Sequence, residues 1–351
     1  MPRLKRVDCS GPGIARRRRG KGFEYLDAGG ARVRDVSTLQ RIKDLGIPPA
    51  WTDVWICPCD NGHLQAVGTD AAGRKQYLYH EAWRTRRDQE KFDKMIDFAS
   101  SLPKIRHVTD LHLDQEGLPR ERVLACAVRL LDRGFFRIGG ETYAEANETY
   151  GLATMRKEHV RFEGAEVVFE YIAKSGKERI QSVVDPAVYD VVKALKRRRG
   201  GGDELLAYRV GKQWVDVKSA DINVYLKYVS GGDYSAKDFR TWHATVLAAQ
   251  ALAVSFEARS ATARKRAVTR AIQEVSHYLG NTPAVCRKSY VDPRVIDRFE
   301  SGWTIGPVIN ELADGSTDEN EWRDAVEAAV LDLIEEPRQS DLVEKVDRKA
   351  S

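Results

Sequence analysis

The spacing of apolar residues changes character near Trp83, and that change limits the folds open to this chain. Before it, short apolar runs are separated by Gly-, Asp- and Asn-containing turns, the pattern of strands. After it, apolar residues recur every three or four positions: Phe92, Met95, Ile96 and Phe98, then Val123, Leu124, Ala127, Val128 and Leu131. Side chains alternate across a strand but repeat about every 3.6 residues around a helix, so the two patterns mark two kinds of structure. The chain therefore reads as α+β in three parts. Residues 1–84 form a small β-rich domain, 85–312 a mainly helical domain, and 313–351 an acidic extension. A length of 351 residues agrees with two domains.

In the first part, Gly22–Asp27 and Ala31–Asp35 flank Ala28-Gly29-Gly30 as a hairpin. Val36–Leu45 reads as a short helix capped by Ser37 or Thr38. Asp53–Cys59, His63–Val67 and Arg74–His80 read as strands, the last with Tyr77 and Tyr79 on one face. In the second part, helices are predicted over 87–101, 121–131, 187–195, 221–229, 235–252 and 265–279. One strand pair interrupts them, Glu166–Ile172 and Lys177–Val183, joined by Lys174-Ser175-Gly176. In the acidic extension, residues 320–333 carry a helical apolar stripe.

The net charge of +5 hides an asymmetry. From Glu311 onward thirteen acidic residues face five basic ones, a balance of −8, so residues 1–310 carry +13. A basic body with a cluster at Arg16, Arg17, Arg18, Arg19 and Lys21 suits a polyanionic partner. No run approaches the eighteen apolar residues of a membrane span, and the N-terminus lacks the apolar stretch of a secretory signal. The expected location is the cytoplasm. The five cysteines are scattered and odd in number, which points to free thiols. Cys57-Pro58-Cys59 is too tight for a zinc knuckle and no second ligand pair answers it, so no metal site is expected.

Five local contexts carry groups fit for phosphoryl transfer, which needs an aligned nucleophile, donors around the charged transition state and an acid for the leaving alkoxide. They are Phe135-Phe136-Arg137-Ile138-Gly139-Gly140, Lys174-Ser175-Gly176, Lys237-Asp238-Phe239-Arg240-Thr241-Trp242-His243, His277-Tyr278-Leu279-Gly280-Asn281-Thr282-Pro283 and Lys288-Ser289-Tyr290-Val291-Asp292-Pro293. Singly, each has a bland explanation: a helix-capping arginine, a solvated turn lysine, an asparagine ending a helix, a packing tyrosine. Together, in this order, the set resembles the type IB DNA topoisomerases in their compact bacterial and poxvirus form. The resemblance runs from about Ala15 to Val308 and is strongest in FFRIGGETYAEANETYGLATMRKEHV, KDFRTWHAT and LGNTPAVCRKSYVDP.

The resemblance implies a bilobed clamp, with a β-rich domain and a helical catalytic domain of the topoisomerase IB and tyrosine recombinase type on opposite faces of duplex DNA. A linker near Glu81–Arg87 would let the clamp open. It implies Tyr290 as the nucleophile that forms a 3′-phosphotyrosyl link. Arg137 and Arg240 would hold the non-bridging oxygens, where a planar guanidinium surpasses lysine. Lys174 would be the acid toward the 5′-oxygen, with Lys177 the alternative. Where many relatives carry histidine after Leu-Gly, this sequence has Asn281, an amide that donates without charge; His277, one turn earlier, is the alternative. Arg74, Gln76, Tyr77, Tyr79, Arg87 and Tyr143 match DNA-facing positions. The implied enzyme relaxes positive and negative supercoils as a monomer on duplex DNA, without ATP, cofactor or metal; no G-x-x-x-x-G-K-[ST] motif is present. A tyrosine recombinase shares much of this chemistry, but Lys237 stands where those enzymes usually place histidine. A DNA-binding architectural protein with a vestigial catalytic set is the non-enzymatic rival.

Overall fold

The alternating stretches of the N-terminal part pair into one antiparallel sheet. In the computed structural model, which describes residues 3–141, 144, 147–255, 260–313, 318–335 and 340–346, the chain divides into two units, Met1–Asp93 and Lys94–Ser351. The first unit holds β1 (Ile14–Arg19), β2 (Gly22–Leu26), β3 (Thr52–Ile56), β4 (Leu64–Thr69) and β5 (Lys75–Tyr79), in the order β2-β1-β3-β4-β5. Helix α1 (Val36–Asp44) lays Ile42 against Ile14, Val54, Ile56 and Ala66, which form the core of this unit.

Three expectations change here. The arginine cluster is itself a strand, β1, which four consecutive arginines concealed because they show no apolar alternation. Arg16 turns inward and donates to the carbonyls of Ile47 (3.3 Å), Pro48 (3.0 Å) and Trp51 (2.7 Å). Arg17 pairs with Glu24, directly opposite on β2, at 2.6 Å. Part of the basic cluster is therefore structural. The second change is the return after the turn at Ala28-Gly29-Gly30, which is only a pair of backbone bonds, from Asp27 N–H to Ala31 O and from Val33 N–H to Tyr25 O. Helix α1 starts where expected, but its cap is Asp35, whose carboxylate accepts from Thr38 N–H and the Ser37 hydroxyl.

Helix α2 (Glu81–Leu113) is longer than the apolar spacing indicated and continues through Pro103. Glu81–Arg87, expected as a linker, are its first two turns, and the division between units falls inside this helix.

The second unit contains α3 (Arg120–Gly134), α4 (Pro186–Arg197), α5 (Ser219–Ser230), α6 (Ala236–Ala253), α7 (Ala261–Leu279), α8 (Pro283–Ser289), α9 (Pro293–Glu300), α10 (Gly306–Ala313) and α11 (Glu319–Ile334). A three-stranded sheet joins β6 (Val160–Glu163), β7 (Glu166–Ala173) and β8 (Lys177–Val184); β9 (Ala207–Val210) pairs with β10 (Gln213–Asp216), and β11 (Trp303–Thr304) with β12 (Glu344–Lys345). Helix α6 runs through the core, with Phe239, Trp242, Ala244 and Thr245 fully buried. Each large apolar side chain so enclosed stabilises the fold by about 1.5–3 kcal/mol. No described helix is long and apolar enough to cross a membrane.

Helix α11, which lies in the acidic extension, is part of this core. Val326, Ala329, Val330, Leu333 and Ile334 of α11 are buried, and the helix packs on α6, α9 and α10. Glu327 is buried with them: Arg106 bonds Glu327 (2.8 and 2.9 Å), the exposed Asp324 (2.8 Å) and, on α3, the buried Asp132 (3.0 and 3.1 Å).

Candidate active site

The sequence builds the tyrosine's position from local signals. Thr282 caps α8, accepting from Val285 N–H, and Pro283 fills the first helical position, where a missing N–H costs nothing. Asp292 and Pro293 repeat the arrangement for α9. Tyr290 lies in the short break between the two helices, its N–H bonded to Cys286 O at 3.0 Å. Asp292 is fully buried and is held by Arg294 at 2.7 Å, which fixes the far side of the break. The Thr245 hydroxyl on α6 donates to Tyr290 O (3.3 Å) and accepts from Asp292 N–H (3.2 Å).

The two arginines arrive from different elements. Arg240 sits one turn into α6, 5% exposed, with its guanidinium 5.3 Å from the centre of the Tyr290 ring. It donates to Phe135 O at 2.7 Å and to Leu279 O at 2.9 Å, while its Nε–H has no partner among the described residues. Phe135 ends α3 in the left-handed region (φ 55°), a cost offset by its ring packing on His243 and Tyr278. That conformation presents its carbonyl to Arg240. Two residues on, Arg137 is fixed by its backbone: Leu152 N–H bonds Arg137 O at 2.8 Å, and Ala153 N–H bonds Ile138 O at 2.7 Å. This pairing brings Gly139 against Gly151 so closely that a Cβ on Gly151 would lie 2.5 Å from Gly139 backbone.

Helix α7 supplies the amide. Gly280 ends it in the left-handed region, and Asn281 N–H reaches back to Ser276 O at 3.1 Å, the long-range bond of a Schellman turn. The reversal points Asn281 at Arg137, whose Nη2 donates to both the Asn281 amide oxygen and Gly280 O. With its oxygen so engaged, the amide has its NH₂ available as a donor. Burial alone would raise the Tyr290 phenol. The Arg240 charge, hydrogen bonds from Arg240 and Asn281, and the more distant Lys237 together bring it below its ordinary value instead. Burial lowers the Arg240 guanidinium as well.

The structure thus gathers Tyr290, Arg137, Arg240 and Asn281 into one cluster. Lys174 stands at the exposed tip of the β7–β8 hairpin, and Lys177 at the start of β8 is also exposed. His277 is exposed on α7, and its carbonyl accepts from Arg179. In the other unit, Tyr77 and Tyr79 are exposed on edge strand β5 with their rings stacked 6.2 Å apart. Arg74 and Gln76 are both tied to Asp70 (2.9 and 2.8 Å), which holds the Asp70 carboxyl down to about 2. Arg87 is exposed and pairs with Glu90. Tyr143 lies outside the described residues. Thr245 and Arg179 were missed by the sequence reading; Thr245 closes the KDFRTWHAT run, whereas nothing local distinguishes Arg179.

Comparison with known proteins gives this arrangement its relatives. Residues 80–303 match the family model of the eukaryotic DNA topoisomerase I catalytic core, and residues 22–70 that of the bacterial DNA topoisomerase IB N-terminal domain. The chain is 30% identical over 297 residues to DNA topoisomerase 1B of Acanthamoeba polyphaga mimivirus, covering 82% of this chain and 88% of that protein. It is 22% identical to DNA topoisomerase 1 of Rabbit fibroma virus over 80% of this chain and 87% of that protein. To DNA topoisomerase 1B of Vaccinia virus it is 20% identical over 66% of this chain and 71% of that one. Matched along most of its length by the core model and by a relative of similar extent, the chain belongs to the type IB DNA topoisomerases.

Proposed function

We propose that this topoisomerase relaxes supercoiled DNA of either sign by cutting one strand with Tyr290, letting the DNA swivel and resealing it. The observation that carries the residue roles is the convergence of the Arg240 guanidinium and the Asn281 amide on a single half-buried tyrosine with a depressed pKa, with Arg137 joined to the cluster through Asn281. The Tyr290 oxygen attacks phosphorus as the P–O5′ bond breaks, which leaves a 3′-phosphotyrosyl bond that conserves the phosphodiester energy for religation. Arg137 and Arg240 hold the non-bridging oxygens, with the unpartnered Arg240 Nε–H a ready donor. The Asn281 NH₂ adds a neutral donor, and Lys174 protonates the departing 5′-oxygen. These groups supply the charge stabilisation and the acid, so relaxation is expected to proceed with EDTA and without ATP.

Arg74, Gln76, Tyr77, Tyr79, Arg87 and Tyr143 are the proposed DNA contacts. A monomer suffices because one strand is cut, and the cytoplasmic nucleoid is the expected place of work. The test is relaxation of negatively supercoiled plasmid in EDTA by the native enzyme and by Tyr290→Phe, with covalent adduct trapped by detergent. The native enzyme should relax and form adduct, whereas Tyr290→Phe should bind DNA and do neither. Adduct with Tyr290→Phe would refute the nucleophile, and DNA binding without relaxation by the native enzyme would favour an architectural role.

A further inference from the structure

The last four residues of the α7 end, His277 to Gly280, present successive carbonyls, and three arginines share them. Arg240 takes Leu279 O, Arg137 takes Gly280 O, and Arg179 takes the other two, His277 O at 3.0 Å and Tyr278 O at 2.5 Å. A helix C-terminus has unpaired carbonyls and partial negative charge, so it suits guanidiniums. Arg137 and Arg240 belong to the site described above. Arg179 comes from β8 of the hairpin that carries Lys174 at its tip.

The hairpin needs an anchor there. Strand β6 pairs with β7 only as far as Phe169. Beyond it, four rungs remain two-stranded: Glu170 with Ile180, Tyr171 with Arg179, Ile172 with Glu178, and Ala173 with Lys177. A bare two-stranded ribbon is marginal in water. This one is supported on its β7 edge by Tyr150 N–H, which donates to Ile172 O at 2.8 Å. On its β8 edge, Arg179 makes the grip on α7. Arg179 lies about three rungs, roughly 10 Å, from the tip at the usual rise per residue. The same α7 end turns at Gly280 and delivers Asn281 to Arg137. A Cβ on Gly280 would meet the Arg179 guanidinium at 3.3 Å, so the two pieces are in close contact.

We propose that Arg179 is a positioning residue for the leaving-group acid: by clasping the end of α7 it sets the Lys174 hairpin tip relative to Arg137 and Asn281. The inference rests on the assignment of Lys174 as the acid. During cleavage the Tyr290 hydroxyl gives its proton to solvent water as its oxygen bonds to phosphorus, the P–O5′ bond breaks, and the 5′-oxygen leaves with a proton from Lys174 Nζ. If Arg179 only aims that lysine, its loss matters while the leaving group needs a proton. A 5′-bridging sulfur leaves as a thiolate, a far weaker base (thiol pKa about 8.5), and needs none.

The experiment measures single-turnover cleavage of ordinary and 5′-bridging phosphorothiolate DNA by the native enzyme, Arg179→Ala, Arg179→Lys and Lys174→Ala, alongside DNA affinity and thermal unfolding of each. Arg179→Ala should cut ordinary DNA more slowly by on the order of a hundred-fold, the effect of a misplacement of about 1 Å. It should bind DNA within a few-fold of the native enzyme and cut the sulfur substrate near the native rate. Arg179→Lys keeps the charge without the two-pronged grip; it should show a smaller defect with the same rescue, and it carries the test if the alanine variant does not fold. An Arg179 defect equal on both substrates, with Lys174→Ala rescued, overturns the inference and leaves the acid assignment standing. Failure of the sulfur to rescue Lys174→Ala removes the acid assignment, and the inference falls with it.

Discussion

Asp132→Asn separates a docked acidic helix from a dispensable one. Asp132 is buried on α3 and accepts from Arg106 (3.0 and 3.1 Å) and from Arg323 of α11 (3.1 Å), with His243 Nε2 3.8 Å away. Neutralising it leaves those guanidiniums without their central counter-charge. Removing one partner of a buried ion pair typically costs about 3–5 kcal/mol. Here Arg106 retains Glu327 and Asp324, and Arg323 retains Asp324 at 3.9 Å, so the lower end, about 3 kcal/mol, applies. For a unit of this size that lowers Tm by roughly 6–12 °C. Burial alone would raise the Asp132 carboxyl, but Arg106, His243 and Arg323 hold it well below the usual carboxylate range. A depressed folded-state pKa gives stability that is fully present above the unfolded value, near ~4, and lost as pH falls through the folded one. The stability gap between native protein and variant, read by denaturant unfolding, should therefore stay level from about pH 8 to pH 5 and close only in stronger acid. A Tm change under about 2 °C, or a gap that narrows between pH 8 and 5, would refute the reasoning.

Other expectations concern the site. Lys174→Ala should slow cleavage far more than it weakens binding; if Lys177→Ala has the larger effect in the same single-turnover assay, the acid is Lys177. Asn281→Ala should slow cleavage more than His277→Ala, because Asn281 meets Arg137 while the His277 side chain is exposed; the reverse ranking restores His277. If about six to eight phosphates are neutralised, log K should fall against log salt with a slope of about −5 to −7, measured by equilibrium binding of Tyr290→Phe.

Much of the site was legible in the sequence because it is assembled from local signals. Thr282-Pro283 and Asp292-Pro293 are capping signals for two short helices that leave Tyr290 between them, although neither helix was among those predicted. Gly280 ends α7 and turns Asn281. The Lys174 turn and both flanking strands follow from alternation around Ser-Gly. The misses were of another kind. Four arginines in a row hid β1, because nothing in them indicates that Glu24 would lie opposite Arg17 or that carbonyls near Trp51 would receive Arg16. The apolar stripe of α11 was visible, but nothing in it showed that Arg106, more than two hundred residues earlier, would be its partner.

The sequence by itself determined where the chain changes from strands to helices, which residues could do the chemistry, and where the helix before Asn281 ends. Those properties depend on neighbours a few positions away, through periodicity, capping and the restricted backbone of proline. Only the tertiary structure decided that the α7 carbonyls serve three arginines from three elements, that Thr245 holds the tyrosine's main chain, and that an acidic helix closes the core. Each is a pairing of a buried polar group with a distant partner, made because such a group without one is costly, and sequence separation carries no record of which partner that will be.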